Sequence, residues 1–230
     1  MIEGGTARGR LACLAIAAAL VLTGTALLGC PHEQAAMVSA PPPEGWADRV
    51  LEERADKDIR FRNDPDTPLS KEAVETFRGL DYWPPDPAYR FVGPVHVNAR
   101  AERFTVVTTS GKPRPCERYG WVGFEVRGKR YRLEVFRLLD VAERPGTLPF
   151  FVPFLDATTG KESYPAGRYV DLQGPRGGPY VLDFNRAYNP LCAYGSPDRY
   201  ACPVTPPENR LPFAVETGER GYHRAESAAR

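Results

Sequence analysis

Histidine is scarce in this chain, with three in 230 residues. His32 precedes the first expected helix and His223 lies near the C-terminal end, which leaves His96 inside the expected fold. A multi-histidine metal site is therefore excluded. A Ser-His-Asp or Cys-His system would have to use His96, and no nucleophile-elbow sequence accompanies it. In Val95-His96-Val97 it reads as a strand-surface residue. There is no phosphate-cradling glycine loop and no dinucleotide fingerprint, so no cofactor is expected. Nor does one sign of charge prevail. The 30 basic and 29 acidic residues fall to 28 of each once Arg8, Arg10 and Glu3 are removed with the leader. No electrostatic case for nucleic acid or an anionic membrane surface follows.

A long apolar run occurs at the N-terminus. Arg8 and Arg10 form a positive region, Leu11 to Leu28 is apolar, and the run ends in Leu27-Leu28-Gly29-Cys30. This resembles a bacterial lipobox, with cleavage before Cys30 and diacylglycerol on its thiol. A plain cleaved signal peptide and an uncleaved anchor helix are the alternatives. All three put the body of the protein outside the cytoplasm, in the cell envelope. The expected organisation is a signal peptide over 1–29, a flexible tether over 30–45, one β-rich domain over 46–220 and a polar tail over 221–230.

Proline (24) and glycine (21) are abundant, which favours short strands and turns over long helices. Trp46 to Asp58 reads as a charged helix with Val50 and Leu51 on its apolar side. Ser70 is the expected N-cap of a second short helix, Lys71 to Phe77. From Tyr89 onward strands dominate. A hairpin joins Trp121–Val126 to Tyr131–Leu138. A two-residue Gly128-Lys129 turn would pair Val126 with Tyr131, Phe124 with Leu133, Val122 with Val135 and Glu125 with Arg132. A second hairpin joins Arg168–Leu172 to Tyr180–Asn185. Its alternation sends Val170, Leu172, Leu182 and Phe184 to the core and Tyr169, Asp171, Asp183 and Asn185 to the other face. The whole reads as mainly β: an antiparallel β-sandwich or small barrel with short N-terminal helices.

Five cysteines are present. Cys13 is lost with the leader and Cys30 is the lipid acceptor. Outside the cytoplasm, Cys192 and Cys202 are a plausible disulfide across a short loop, with Cys116 free. Free thiols are the rival reading. Their spacing, without a nearby histidine, makes a poor zinc motif.

Polar, aromatic and turn-forming residues concentrate between Phe151 and Glu219. The run GRYxDL…LDFNxAYNPxCAY…CPxxPxEN, with PLSKEAVETFRGLDYWPPDPAYR and YGWVGFEVRGKRYRLEVFR upstream, resembles a bacterial and archaeal family known as domain of unknown function 1684. The residues that carry the likeness are Arg168, Tyr169, Asp171, Asp183, Asn185, Tyr188, Asn189, Cys192, Tyr194, Cys202, Glu208 and Asn209. The resemblance implies a shared site or a shared folding lock, and supplies no catalytic roles.

Asp171 and Asp183 are the best carboxylate pair. Side by side in a pocket, desolvation and mutual repulsion would raise the pKa of one, giving an acid/base couple or a hard-cation site. Arg168, Tyr169, Asn185, Tyr188 and Asn189 complete the candidate ligand-binding surface, with Glu208 and Asn209 on a rigid arm. Aromatic rings beside carboxylates and amides suit a sugar or other small polar ligand. The same set also describes a satisfied buried polar network. Three functions stay open: an envelope lipoprotein binding a small polar ligand such as a sugar or cell-wall fragment, a carboxylate-based hydrolase using Asp171 and Asp183, and a structural or assembly protein with no ligand.

Overall fold

The computed structural model describes residues 35–142, 148–195 and 199–222. The leader, the lipobox and Cys30 lie outside them, as do residues 223–230 of the tail.

The fold is mainly β, as expected, and consists of two antiparallel sheets. The smaller has the order β1 (Val38–Ser39), β2 (Arg90–Gly93), β8 (Tyr180–Asp183). The larger runs in chain order through β3 (His96–Val106), β4 (Arg114–Val126), β5 (Lys129–Leu138), β6 (Phe151–Phe154) and β7 (Arg168–Asp171). The two share one core. Phe91 and Leu182 from the small sheet meet Phe124, Leu133, Phe154 and Val170 from the large one. Each such side chain contributes about 1.5–3 kcal/mol by leaving water, which holds the sheets face to face.

The expected tether gives up part of its length to this core. Met37 is 1% exposed, its N–H donates to the Gly123 carbonyl at 2.6 Å, and Val38–Ser39 pairs with β2. An apolar side chain and a free strand edge together outweigh the proline-rich composition around them. The domain therefore begins before Trp46.

Helix α1 spans Trp46–Asn63, five residues beyond the expected end. Its buried residues are Trp46, Val50 and Phe61, and Leu51 faces solvent at 51% exposure. Helix α2 is Lys71–Thr76, with the Ser70 side chain accepting from the Ala73 N–H as expected of an N-cap.

Both expected hairpins need correction. The β4–β5 pair forms, but Val126 lies opposite Lys129, Phe124 opposite Tyr131, Val122 opposite Leu133 and Glu125 opposite Arg130. The turn residues are Arg127 and Gly128, both left-handed with φ of 52° and 73°. Two left-handed central residues match the twist of the strands they join. The register moves by two residues, so each side chain stays on its expected face.

The second hairpin does not form a ladder. One edge of β7 is taken by β6, from Phe151 opposite Asp171 to Phe154 opposite Arg168. β8 is taken by β2, from Arg90 opposite Asp183 to Gly93 opposite Tyr180. A bridge between Gln173 and Val181 is what remains of the expected pairing. Asp171 and Asp183 thus belong to different sheets.

The supposedly polar face is not wet either. Tyr169, Asp183 and Asn185 are all buried. Trp46 covers Asp183, Asp86 covers Asn185, and the chain after residue 184 folds back over the rest as 3-10 turns and extended segments. Gly218 permits the close approach. It has φ of 76°, and a Cβ there would lie 2.6 Å from the Phe184 carbonyl oxygen and 2.8 Å from the Ala187 side chain.

Candidate ligand-binding site

The candidate residues separate into a saturated group and an open pair. Arg168 leads the first group. It is 1% exposed, and its two terminal nitrogens donate to the carbonyls of Thr217 (2.7 Å), Glu219 (3.1 Å) and Val215 (2.7 Å) and to Asp156 Oδ2 (3.1 Å). Its guanidinium lies 5.0 Å from the ring centres of Trp83 and Phe154. Burial lowers its pKa, opposed by the charge and hydrogen bond of Asp156. The side chain fastens residues 215–219 onto β7, and of its nitrogens Nε alone has no partner among the described residues.

Asp183 and Asn185 are committed in the same way. Asp183 Oδ2 accepts from Trp46 Nε1 at 2.9 Å and from Arg186, while Oδ1 accepts from the Asn185 N–H and side-chain amide. Asn185 Oδ1 accepts from the Asp86 N–H and the Thr217 hydroxyl, and its Nδ2 also donates to the Asp86 carbonyl. The Asn189 N–H donates to Glu219 Oε2 at 2.9 Å and its Nδ2 donates to the Arg220 carbonyl at 2.7 Å. Its Oδ1 is buried without a hydrogen-bond partner among the described residues.

Glu208 and Asn209 sit elsewhere, and neither lines the two cavities described next. Glu208 is exposed and ion-pairs Arg118 at 2.9 Å. Asn209 is fully buried, and its amide spans β5 and β6. Oδ1 accepts from the Glu134 N–H at 2.8 Å, and Nδ2 donates to the carbonyls of Glu134 (2.9 Å) and Pro153 (2.7 Å). The one registered pair between those strands is Phe136 with Phe151, so Pro153 stands where Glu134 would look for its partner. Proline cannot donate there, and the Asn209 amide supplies the missing bonds.

Asp171 and Tyr188 are the open pair. Tyr188 exchanges two backbone hydrogen bonds of 2.9 Å with Tyr169 on the free edge of β7. Strand alternation sets Asp171 on the same side as Tyr169, and the Tyr188 hydroxyl donates to Asp171 Oδ1 at 2.8 Å. Among the described residues this is the single side-chain hydrogen bond to Asp171. The carboxyl is open to solvent yet sits in a concavity surrounded by protein. Desolvation raises its pKa, against the Tyr188 hydrogen bond and the charge of Lys57, which lower it. Asp183 is not among the groups that act on it.

Asp171 and Tyr188 form a wall common to two cavities. One, of about 380 Å³, is mainly apolar and lined by Phe150, Phe151, Tyr169 and Leu148, with Arg114 and Cys202 at its side. Arg114 is held there by two 2.8 Å bonds to Asp140. The other, of about 580 Å³, faces α1 and has mostly charged and polar residues in its lining, among them Arg54, Lys57, Arg60, Tyr82, Gln173 and Glu219. Sequence reasoning missed this second cavity. Its one legible trace was the cations at 54, 57 and 60, spaced three apart along α1. Glu219 had none. It is 1% exposed and accepts from Lys57 Nζ at 2.9 Å, from the Tyr194 hydroxyl and from the Asn189 N–H.

The expected disulfide is also corrected. Cys116, Cys192 and Cys202 are free thiols. Cys192 and Cys202 do adjoin, but the Cys192 N–H donates to Cys202 Sγ at 3.4 Å, and the Tyr164 hydroxyl lies 3.7 Å from Cys192 Sγ. The hydrogen bond with Cys202 draws the Cys192 pKa down to about 6 and pushes that of Cys202 up. Cys116 lies apart, and burial pushes its thiol up to about 11.

The motif residues now have a match. The family described as "Protein of unknown function (DUF1684)" matches residues 75–220, well over half of the chain. The chain belongs to that family. Its fold is also similar to the solution NMR structure of an uncharacterized protein from gene locus rrnAC0354 of Haloarcula marismortui. The two are 35% identical, with a TM-score of 0.59, over 77% of this chain and 95% of that one. No curated protein matches the chain. The family match takes in all the candidate residues from Arg168 to Asn209, together with Tyr82 and Glu219, whereas α1 precedes it.

Proposed function

We propose that this DUF1684 protein is a cell-envelope lipoprotein, anchored through Cys30, whose β domain binds a small polar ligand such as a sugar or cell-wall fragment. The observation that carries the reading is the Asp171–Tyr188 wall. Asp171 keeps acceptor capacity to spare and stands between two cavities of 380 and 580 Å³, sizes typical of small-molecule sites. Tyr169, Tyr188, Phe150 and Phe151 offer ring surfaces for the C–H face of a sugar, and Asp171 accepts from its hydroxyls. The saturated residues Arg168, Asp183, Asn185 and Asn209 take the structural role, which favours a folding lock for that part of the block alone.

A thermal-shift titration of the full chain with glucose, N-acetylglucosamine and a muramyl dipeptide tests the binding. A rise in melting temperature that disappears in Asp171→Asn supports it. No rise with any of the three sinks it. The anchor is tested separately by the intact mass of membrane-extracted protein, which should begin at a diacylglyceryl-modified Cys30.

A further inference from the structure

The cavity on the α1 side is lined by three carboxylates, Glu53, Asp171 and Glu219, which leave some of its cations without an ion pair. Four cations line it: Arg54, Lys57, Arg60 and Arg186. Two are neutralised. Lys57 is bound to Glu219 at 2.9 Å, and Arg186 is held between Glu53, at 2.7 and 2.9 Å, and Asp183. The other two are not. Arg54 donates to backbone carbonyls, those of Trp83 at 2.9 Å and Asn185 at 3.1 Å. Arg60, exposed at the rim, has no ion-pair partner among the described residues.

Two buried polar atoms in the same lining are also unused. Arg54 Nε and the Tyr82 hydroxyl have no hydrogen-bond partner among the described residues. Both can donate, and Arg54 stacks over the Tyr82 ring at 4.5 Å. Burial lowers the Arg54 pKa, against the charges of Asp183 and Glu219, neither of which pairs with it directly. Unpaired guanidinium groups and unsatisfied donors on one wall call for an oxygen-rich anion, which guanidinium geometry matches well.

We infer that this cavity receives an anionic group of the ligand, a carboxylate or a phosphate, held by Arg54 and Arg60. The inference rests on the ligand-binding reading above and narrows it to an acidic sugar. The ring lies on the Tyr188 side of the wall, with a hydroxyl on Asp171. The acid group points across it toward α1.

Calorimetric titration of the full chain at constant ionic strength tests this, with glucuronate, glucose 1-phosphate, glucose and sulfate as probes. At least one of the two acids should bind about tenfold or more tighter than glucose, as one charge-assisted contact provides. Whichever is preferred identifies the group as carboxylate or phosphate. Arg60→Gln, at an exposed position that leaves the fold intact, should reduce acid affinity several-fold and leave glucose unaffected. Arg54→Lys, which retains the charge but not the fork, should also weaken the acids. Equal affinity for glucose and both acids, or acid binding indifferent to Arg60→Gln, overturns the anion site while leaving the sugar reading in place. Sulfate binding that Arg60→Gln removes, without any sugar binding, keeps the anion site and discards the sugar. No binding by any probe discards both.

Discussion

Arg168 and Asp171 stand at the two ends of the four-residue strand β7, and their surroundings differ in kind. Arg168 is buried among three carbonyls, a carboxylate and two aromatic rings, all supplied by distant parts of the chain. Asp171 has one tyrosine hydroxyl and two cavities. Both are charged residues of the motif that marks the family. One is committed to stability, and the other keeps its capacity free. The difference teaches that a polar motif need not be one site. Spare hydrogen-bonding capacity beside a cavity is what distinguishes a binding residue from a folding lock.

Breaking the saturated end should have the largest effect. Arg168→Met removes every donor that Val215, Thr217 and Glu219 receive from this side chain and leaves Asp156 as an uncompensated buried charge. A loss of about 3–5 kcal/mol is expected, read as a drop of roughly 10 °C or more in melting temperature or as failure to fold. Asn209→Ala should come next, at about 2–3 kcal/mol, because Glu134 and Pro153 lose buried partners and β5 separates from β6. Chemical denaturation with an unchanged slope would check that the fold itself survives.

At the open end the expected effect is on pH dependence and binding. Asp171 has a raised pKa in the folded state. Between the ordinary carboxylate value and that raised value, the folded protein holds a proton that the unfolded chain has released. Stability therefore falls as pH rises through that window. Asp171→Asn should flatten this part of the stability–pH curve, remove the ligand-induced thermal shift, and leave the ligand-free melting temperature at neutral pH within about 2 °C of the parent. A variant that unfolds would place Asp171 with Arg168 and erase the distinction. The smallest effect belongs to Glu208→Gln. Its exposed pair with Arg118 should be worth no more than about 0.5 kcal/mol, and ligand binding should not change, because Glu208 lies in neither cavity.

Much of the local structure was legible because it depends on near neighbours. Alternation of apolar and polar residues set the faces of β4 and β5, and these survived a one-residue displacement of the turn because it shifts the pairing register by two and side-chain direction repeats every two residues. Ser70 was readable as a cap from its own chemistry. Asp171 and Tyr188 were readable as residue types suited to a site, and so were Arg168, Asp183 and Asn185, which proved saturated. Composition cannot separate these groups, since the same amide or carboxylate serves a ligand or a carbonyl according to what reaches it.

What the sequence by itself determined is the β class, the strand faces, the apolar N-terminal run and a polar block dense enough to mark the family. Each follows from periodicity or composition over short spans. The tertiary structure alone decided that β7 and β8 belong to different sheets, and that Met37 enters the core. It also decided that Asn209 substitutes for the bond Pro153 cannot make, and that α1 brings Arg54 and Arg60 to the far side of the Asp171 wall. Those outcomes depend on which of several available edges and donors wins each pairing. That competition is settled by contacts between residues as far apart as Met37 and Gly123, or Asn185 and Arg54, which no local pattern records.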